Sequence, residues 1–369
     1  MSNKLKPLII GDLEIKIPII QGGMGVRVST ASLASAVANC GGAGTIASVG
    51  LAYGTPENET NYLEASREAL RAEIRKAKTL TSGVVGVNIM VALVNYEDSV
   101  RIAVKEKADF IVSGAGLPLR LPEFAKGFST KLIPIVSSAK AANIIIKTWN
   151  RRYKRFPDAF VVEGPLAGGH LGFKSEDLTS PQENCLESLV VDVVKIVKEY
   201  EEKFKVIIPV IAAGGIFDGE DVARFFKLGA QGVQIATRFV TTKECSVADE
   251  FKELYLRANE EDVVIIDSPV GLPGRAIKTA FIEKIMRGEK DPIRCLYKCL
   301  ITCDSATAPY CIAKALCNAS VGDLDNAIVF AGSNVSRIEK IVSVKELMDD
   351  IVSRAIEELD KTVLRSYNP

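Results

Sequence analysis

Eight short apolar runs recur through the first two-thirds of the 369-residue chain, and each reads as a strand entering glycine, serine or a polar residue. They are Ile17–Ile20, Ala43–Val49, Gly83–Val91, Asp109–Gly114, Leu132–Val136, Ala159–Glu163, Val206–Ala213 and Gly232–Phe239. The run Val206–Ala213 shows no period-2 alternation and reads as a strand covered on both faces, and Gly232–Phe239 is another such candidate. Between most of them lie helical patterns, among them Ser32–Asn39, Tyr62–Lys78, Tyr96–Glu106, Ala139–Tyr153 and Cys185–Tyr200. This rhythm predicts an α/β fold, a TIM (β/α)8 barrel. An open doubly wound sheet would gather its glycines in one early strand–turn–helix and end its second strand in an acid. Here glycines are spread over at least five strand ends.

The stretch Pro209–Gly219 carries the first functional signal. Its strand ends in Gly214-Gly215, and Asp218 with Asp221 forms an N-cap signature for a helix reaching Leu228-Gly229. The eighth strand follows at once. Two neighbouring strand tips with little side-chain bulk can turn several backbone N–H groups toward a phosphate. In a barrel of this kind that site lies after strands 7 and 8.

Lys+Arg 46 balances Asp+Glu 46, so no bulk charge argues for nucleic acid or an anionic membrane. No apolar run is long enough to span a bilayer, and the Leu8–Ile10 run is too short for a signal peptide. The expectation is a cytoplasmic protein without membrane or nucleic-acid partners. The one histidine, His170, follows Ala167-Gly168-Gly169 at the end of strand 6. There it can act as acid or base, or donate a hydrogen bond to a carbonyl or an oxyanion. With no second histidine, a histidine-based metal site is excluded.

The division expected is a barrel over 8–245 and a mostly helical extension over 246–369 that packs on it. In the extension, Ser246–Asn259 reads as a helix and Val263–Ile266 as a strand. Ser268–Arg275 reads as a loop opening a helix that runs to Met286. Ala327–Phe330 and Gly332–Asn334 are placed back at the barrel mouth. Ser343 and Glu346 form a capping box for a last helix to about Leu359. Five of the eight cysteines fall between 295 and 317. Cys295, Cys299 and Cys303 have the spacing of one helix face, and Ala308-Pro309 reads as a turn leading to Cys311. Four such thiolates could hold a [4Fe–4S] cluster or a structural zinc. The alternative is that they are buried small hydrophobes. Cys317, on an apolar helical face with Leu316, is the poorer fourth ligand.

Taken together, Gln21–Gly25, Gly86–Met90, Glu163–His170, Pro209–Ile216 and Gly232–Phe239 resemble the nitronate monooxygenase (2-nitropropane dioxygenase) family over roughly residues 8 to 285. That family includes FMN-dependent enoyl-acyl-carrier-protein reductases. The resemblance implies non-covalent FMN, with its phosphate on Gly214, Gly215, Ala236 and Thr237. It puts the flavin ring near Gly22, Gly23, Met24 and Asn88, with Ser137 and Glu163 close by and Gly169 and Gln234 lining the pocket. His170 would be the catalytic residue. Ala236 stands where relatives often have glycine. The reaction implied is oxidation of alkyl nitronates with dioxygen; the alternative is NAD(P)H-dependent reduction of an activated C=C bond. A rival of another class is a sugar-phosphate isomerase or aldolase, for which Lys140 and Glu163 are the candidates. The cysteine-bearing region after Gly288 resembles a longer branch of NAD(P)H-dependent flavin oxidoreductases. A cluster there would make an electron-donor protein a partner, and self-association is left open.

Overall fold

The computed structural model describes residues 5–56, 60–178, 185–295 and 297–367, with side chains described as far as residue 361. Eight parallel strands close into a barrel: β1 (Ile19–Gln21), β2 (Ala43–Ala47), β3 (Val84–Met90), β4 (Phe110–Gly114), β5 (Lys131–Val136), β6 (Phe160–Glu163), β7 (Val210–Ala213) and β8 (Gly232–Ile235). They are paired in sequence order, and β8 pairs with β1. The expected TIM barrel is present, and each strand falls within the run that predicted it or overlaps it by most of its length.

Two expected strands were drawn too long. Residues 206–209 stay outside β7 because Pro209 has no N–H to give the ladder, and the Ile208 N–H is taken by the Glu201 carboxylate at 2.8 Å. At the other end, Ile235 pairs with Gln21, the last residue of β1. No ladder remains beyond it, so Thr237–Val240 winds into a short helix instead of continuing β8.

Side chains inside the barrel include Ile20, Phe110, Val112, Ile133, Val161 and Ile211, all fully buried. Phe110 has room because Gly86 faces it; a Cβ at Gly86 would collide with the aromatic ring. An antiparallel hairpin, Leu8–Ile10 with Leu13–Ile15, adds Leu8, Ile10 and Ile15 to the same core. The sequence showed only an apolar run there.

The extension shares the barrel's outer core. Val344, Leu347, Met348, Ile351 and Ala355 belong to the same buried cluster as Val37, Val222 and Phe225. They lie on the helix Val344–Tyr367, which starts at the expected Ser343–Glu346 capping box and runs past Leu359. This helix packs on Gly219–Lys227, where a Cβ on Gly219 would strike the backbone of Ile351 and Ala355. The helix Asp249–Arg257 also forms, shorter than expected.

Two readings of the extension need correction. Residues 273–277 are a strand, not the end of a loop and the start of a helix. Pro273 and Gly274 look like breakers, yet Pro273–Ile277 has ladder partners on both edges. Val263–Asp267 lies on one side; Val329–Phe330 and Gly169–His170 lie on the other. The helix begins only at Ala280, capped by the Thr279 hydroxyl, which accepts from the Ile282 N–H at 3.2 Å. Second, the described residues between 288 and 311 contain no helix, so Cys295, Cys299 and Cys303 do not share a helix face. Residues 299–301 are instead laid extended along residues 92–94. The Val94 N–H donates to the Cys299 carbonyl at 3.1 Å and the Ile301 N–H to the Ala92 carbonyl at 2.9 Å. Among the described residues, no helix is long and apolar enough to cross a membrane.

Because the Phe110 ring occupies the space above Gly86, Gly86→Ala should destabilise the fold by about 1–3 kcal/mol through overpacking. Urea unfolding of the two proteins measures this. A loss below about 0.5 kcal/mol would mean that the ring can move aside.

Candidate active site

A cavity of about 220 Å³ opens at the C-terminal ends of the strands, the end at which barrels of this type carry their chemistry. Gly22, Gly23 and Met24 enter it after β1, Asn88 from β3, Glu163 from β6, and Gln234, Ala236 and Thr237 from β8 and its tip. Gly169 and His170 line it as well. Three expected residues do not. Ser137 turns away and donates to the Gly172 carbonyl at 2.8 Å. Gly214 and Gly215 lie beside the cavity, under Leu166 and Ala167.

Gly214 and Gly215 nevertheless form a backbone turn that only glycine fits. Both have left-handed φ, +91° and +84°, and a Cβ on Gly214 would sit 3.0 Å from the Gly164 carbonyl and from Ala167. The returning segment 332–334 ties this turn to the tip of β8. The Asn334 amide donates to the Gly215 carbonyl at 2.7 Å, and the Gly332 N–H donates to the Thr237 hydroxyl at 3.0 Å. The expected return of these residues to the mouth is what is found.

Two polar atoms here are left open. Gln234 Oε1, on the cavity wall, and the Ser333 hydroxyl, beside the glycine turn, are buried and have no hydrogen-bond partner. Buried polar atoms rarely stay unpaired. An acceptor on the wall and a hydroxyl by the strand tips suit a ligand with ring N–H groups and an anionic tail. FMN meets that description, so the residues present fit it. Gly22, Gly23, Met24, Asn88 and Gln234 could hold the ring, and Ala236 and Thr237 at the tip of β8 are the strand-tip residues that reach the cavity for the phosphate.

His170 is set by elements from opposite ends of the chain. Gly169, with φ +78°, and His170 form a two-residue strand on the edge of Pro273–Ile277, with His170 opposite Gly274 and Gly169 opposite Arg275. His170 Nε2 shares a hydrogen bond with the Ser268 hydroxyl at 2.8 Å, and the Phe330 ring meets the imidazole edge-on at 4.9 Å. Arg275 is buried and donates to the carbonyls of Pro165 and Ala167, which fixes the loop leading to His170. Tyr255 donates to the Phe330 carbonyl from behind. Ser268, Arg275, Tyr255 and Phe330 were not among the predicted site residues. The only sequence signals were the turn at Ser268-Pro269 and the expected return of Ala327–Phe330.

Burial sets the charge of the site. It pushes the His170 imidazole down to about 4, so the ring is neutral near pH 7. It pushes the Glu163 carboxyl up to about 7, with no neighbouring cation to offset it. The Glu163 surface that remains accessible is the part lining the cavity. Lys140, the other member of the isomerase or aldolase pair, is exposed on the helix Ala139–Tyr153 and does not line the cavity.

The family model described as "Nitronate monooxygenase" matches residues 6–99 and 92–354. A probable nitronate monooxygenase of Staphylococcus aureus is 30% identical over 76% of this chain and 80% of its own. A 5-hydroxy-7a-methyl-1-oxo-octahydro-1H-indene-4-carboxyl-CoA dehydrogenase of Mycobacterium tuberculosis is 31% identical over 75% of this chain and 67% of its own. Among solved structures, FabK from Thermotoga maritima is 30% identical and superimposes with a TM-score of 0.74 over 96% of each chain. A nitroalkane oxidase from Streptomyces ansochromogenes, 20% identical, shares the fold with a TM-score of 0.72 over 95% of this chain and 98% of that one.

The two buried groups pull stability in opposite directions with pH. Glu163 holds a proton in the folded chain that the unfolded chain releases, so its contribution is complete below about 4.5 and is lost as pH rises through about 7. His170 resists a proton that the unfolded chain accepts, so its contribution is complete above about 6.5 and is lost as pH falls through about 4. Glu163→Gln should therefore gain stability relative to the parent as pH rises from about 5 to 8. Urea unfolding across that range measures the gap, and a gap that stays constant would refute the raised carboxyl.

Proposed function

The chain belongs to the nitronate monooxygenase family and is a flavin-dependent oxidoreductase; from that premise we propose that it binds FMN at the barrel mouth and oxidises alkyl nitronates with dioxygen. The products are a carbonyl compound and nitrite. The observation that carries this reading is a neutral imidazole fixed on the wall of a largely apolar cavity.

When bound, FMN supplies the electron chemistry between the nitronate and dioxygen. The chain's own residues do the rest. Gly22, Gly23 and Asn88 leave a wall with little side-chain bulk, and Gln234 Oε1 is free to accept an N–H. The Ser268 hydroxyl holds His170 by Nε2 and Phe330 limits the tilt of the ring, so the imidazole is presented to a substrate in one orientation. A neutral histidine can accept the proton on the carbon next to a nitro group. In so dry a site the resulting imidazolium is stable only beside an anion, and the nitronate formed by that transfer is such an anion. Val270, Leu300 and Phe330 add apolar surface to the cavity wall.

A second reading is NAD(P)H-dependent reduction of an activated C=C bond. It is supported by the likeness to FabK, 30% identical over 96% of each chain. In that reading His170 donates to the substrate carbonyl.

The purified protein should show a flavin spectrum and release FMN on denaturation; a protein that neither contains nor takes up FMN would remove the proposal. His170→Ala should keep the flavin and lose roughly 100- to 10,000-fold of turnover with a neutral nitroalkane, while losing far less with the preformed nitronate. Equal losses would assign His170 to binding and not to proton transfer. Stopped-flow mixing with NAD(P)H separates the two reactions, since fast flavin reduction favours the reductase.

A further inference from the structure

We propose that Cys295, Cys299, Cys303 and Cys311 form the four-thiolate seat of a [4Fe–4S] cluster, set against the outer wall of the mouth cavity. These four, out of the five cysteines between 295 and 317, line one separate cavity of about 400 Å³. The fifth, Cys317, does not line it. The helix expected to align the thiols is absent, but the irregular segment brings them together by another route. Residues 299–301 are pinned along residues 92–94. The chain then turns at Asp304, whose carbonyl accepts from Thr307 and Ala308, and Cys311 arrives as the N-cap of the helix Ile312–Ser320. Cys299 and Cys303 are each within electrostatic reach of both Cys295 and Cys311.

The surroundings suit thiolates that carry metal. The Lys298 N–H donates to Cys295 Sγ at 3.4 Å, and the Tyr53 hydroxyl bonds to the Cys299 sulfur. Hydrogen bonds of this kind tune iron–sulfur centres. The positive end of the helix behind Cys311 favours a negative group there. Val94, Ile293, Leu300, Ile301 and Ile312 form the apolar part of the wall, and Lys298, Asp304 and Ser305 its polar part.

Size decides between the metals. A single zinc draws its sulfurs to within about 2.3 Å of one point. Among the described residues, no three cysteine, histidine or acidic side chains converge closely enough to share one ion. A four-iron cluster keeps its thiolates further apart and needs space between them, which the cavity lined by the four cysteines supplies. Cys299, Cys303 and Cys311 also touch buried apolar clusters, and each of them lines the common cavity as well.

Cys299 lines both this cavity and the mouth cavity, so the two share a wall. Cys295 is exposed. A cluster here would take one electron from a carrier protein of the ferredoxin class at the surface and return it to the redox group in the mouth, gaining and losing one electron per transfer.

The inference stands apart from the flavin reading, because metal content can be counted whether or not FMN is bound. The full-length protein would be purified anaerobically and treated with ferrous iron and sulfide. The expected result is about four iron and four acid-labile sulfide per chain, with a paramagnetic signal after dithionite reduction. Cys303→Ala and Cys311→Ala should each lose most of the iron at unchanged circular dichroism, and Cys317→Ala should keep it. Zinc without sulfide, no metal in the folded parent after this treatment, or equal iron loss in Cys317→Ala and Cys311→Ala would each overturn the proposal.

Discussion

The short ladder between Gly169–His170 and Pro273–Ile277 is the contact on which the site depends. A barrel positions its strands well, but the loop after β6 carries the only histidine and would otherwise hang over open solvent. Pairing Gly169 with Arg275 and His170 with Gly274 turns that loop into an edge strand of a second sheet. Arg275 then reaches back to the carbonyls of Pro165 and Ala167, so both ends of the loop are held. The backbone must reverse its usual hand at Gly169, φ +78°, for His170 to lie flat on the new edge. A side chain at that position would strain the turn.

From this fixing follows the electrostatic character of the mouth. An imidazole held between the Ser268 hydroxyl and the Phe330 ring, away from water, is neutral because a cation there would have no partner. The same dryness raises Glu163. The described ion pairs lie elsewhere, for example Arg337 with Asp218 and Arg67 with Asp98. The cavity therefore presents few fixed charges and an unspent hydrogen-bond acceptor, Gln234 Oε1. Such a site favours a reaction in which charge appears on the substrate and is answered by a group that was neutral before.

The barrel was legible because its information is local. A strand buried on both faces is apolar throughout, and a helix on the outside repeats with its own period, so β1 to β8 could be read from residue type alone. The glycine turn at Gly214-Gly215 was legible for the same reason. The partners of His170 were not. Ser268 and Phe330 are 98 and 160 positions away in the chain, and nothing in their neighbourhoods marks them as site residues. Pro273–Ile277 was misread because its strand identity comes from three separated ladder partners and not from its composition. Gly214, Gly215 and Ser137 are set by their neighbours: the two glycines pack under Leu166 and Ala167 beside the cavity, and Ser137, which the family resemblance put near the ring, bonds to Gly172.

The segment after Gly288 shows why spacing alone is a weak guide to geometry. A repeat of four residues suits a helix, but Pro292 and Pro309 bracket the segment, and Lys298 adopts left-handed φ of 45°. Hydrogen bonds that a helix would have used internally are given to residues 92–94. The spacing then does something else: with the chain extended near Cys299 and turned at Asp304, successive cysteines reach one void from different sides. Because residues 92–94 follow β3, which supplies Asn88 to the mouth, the same strand end braces both the mouth and the cysteine segment. Any shift of that strand end would be felt in the two cavities together, since Cys299 forms part of both walls.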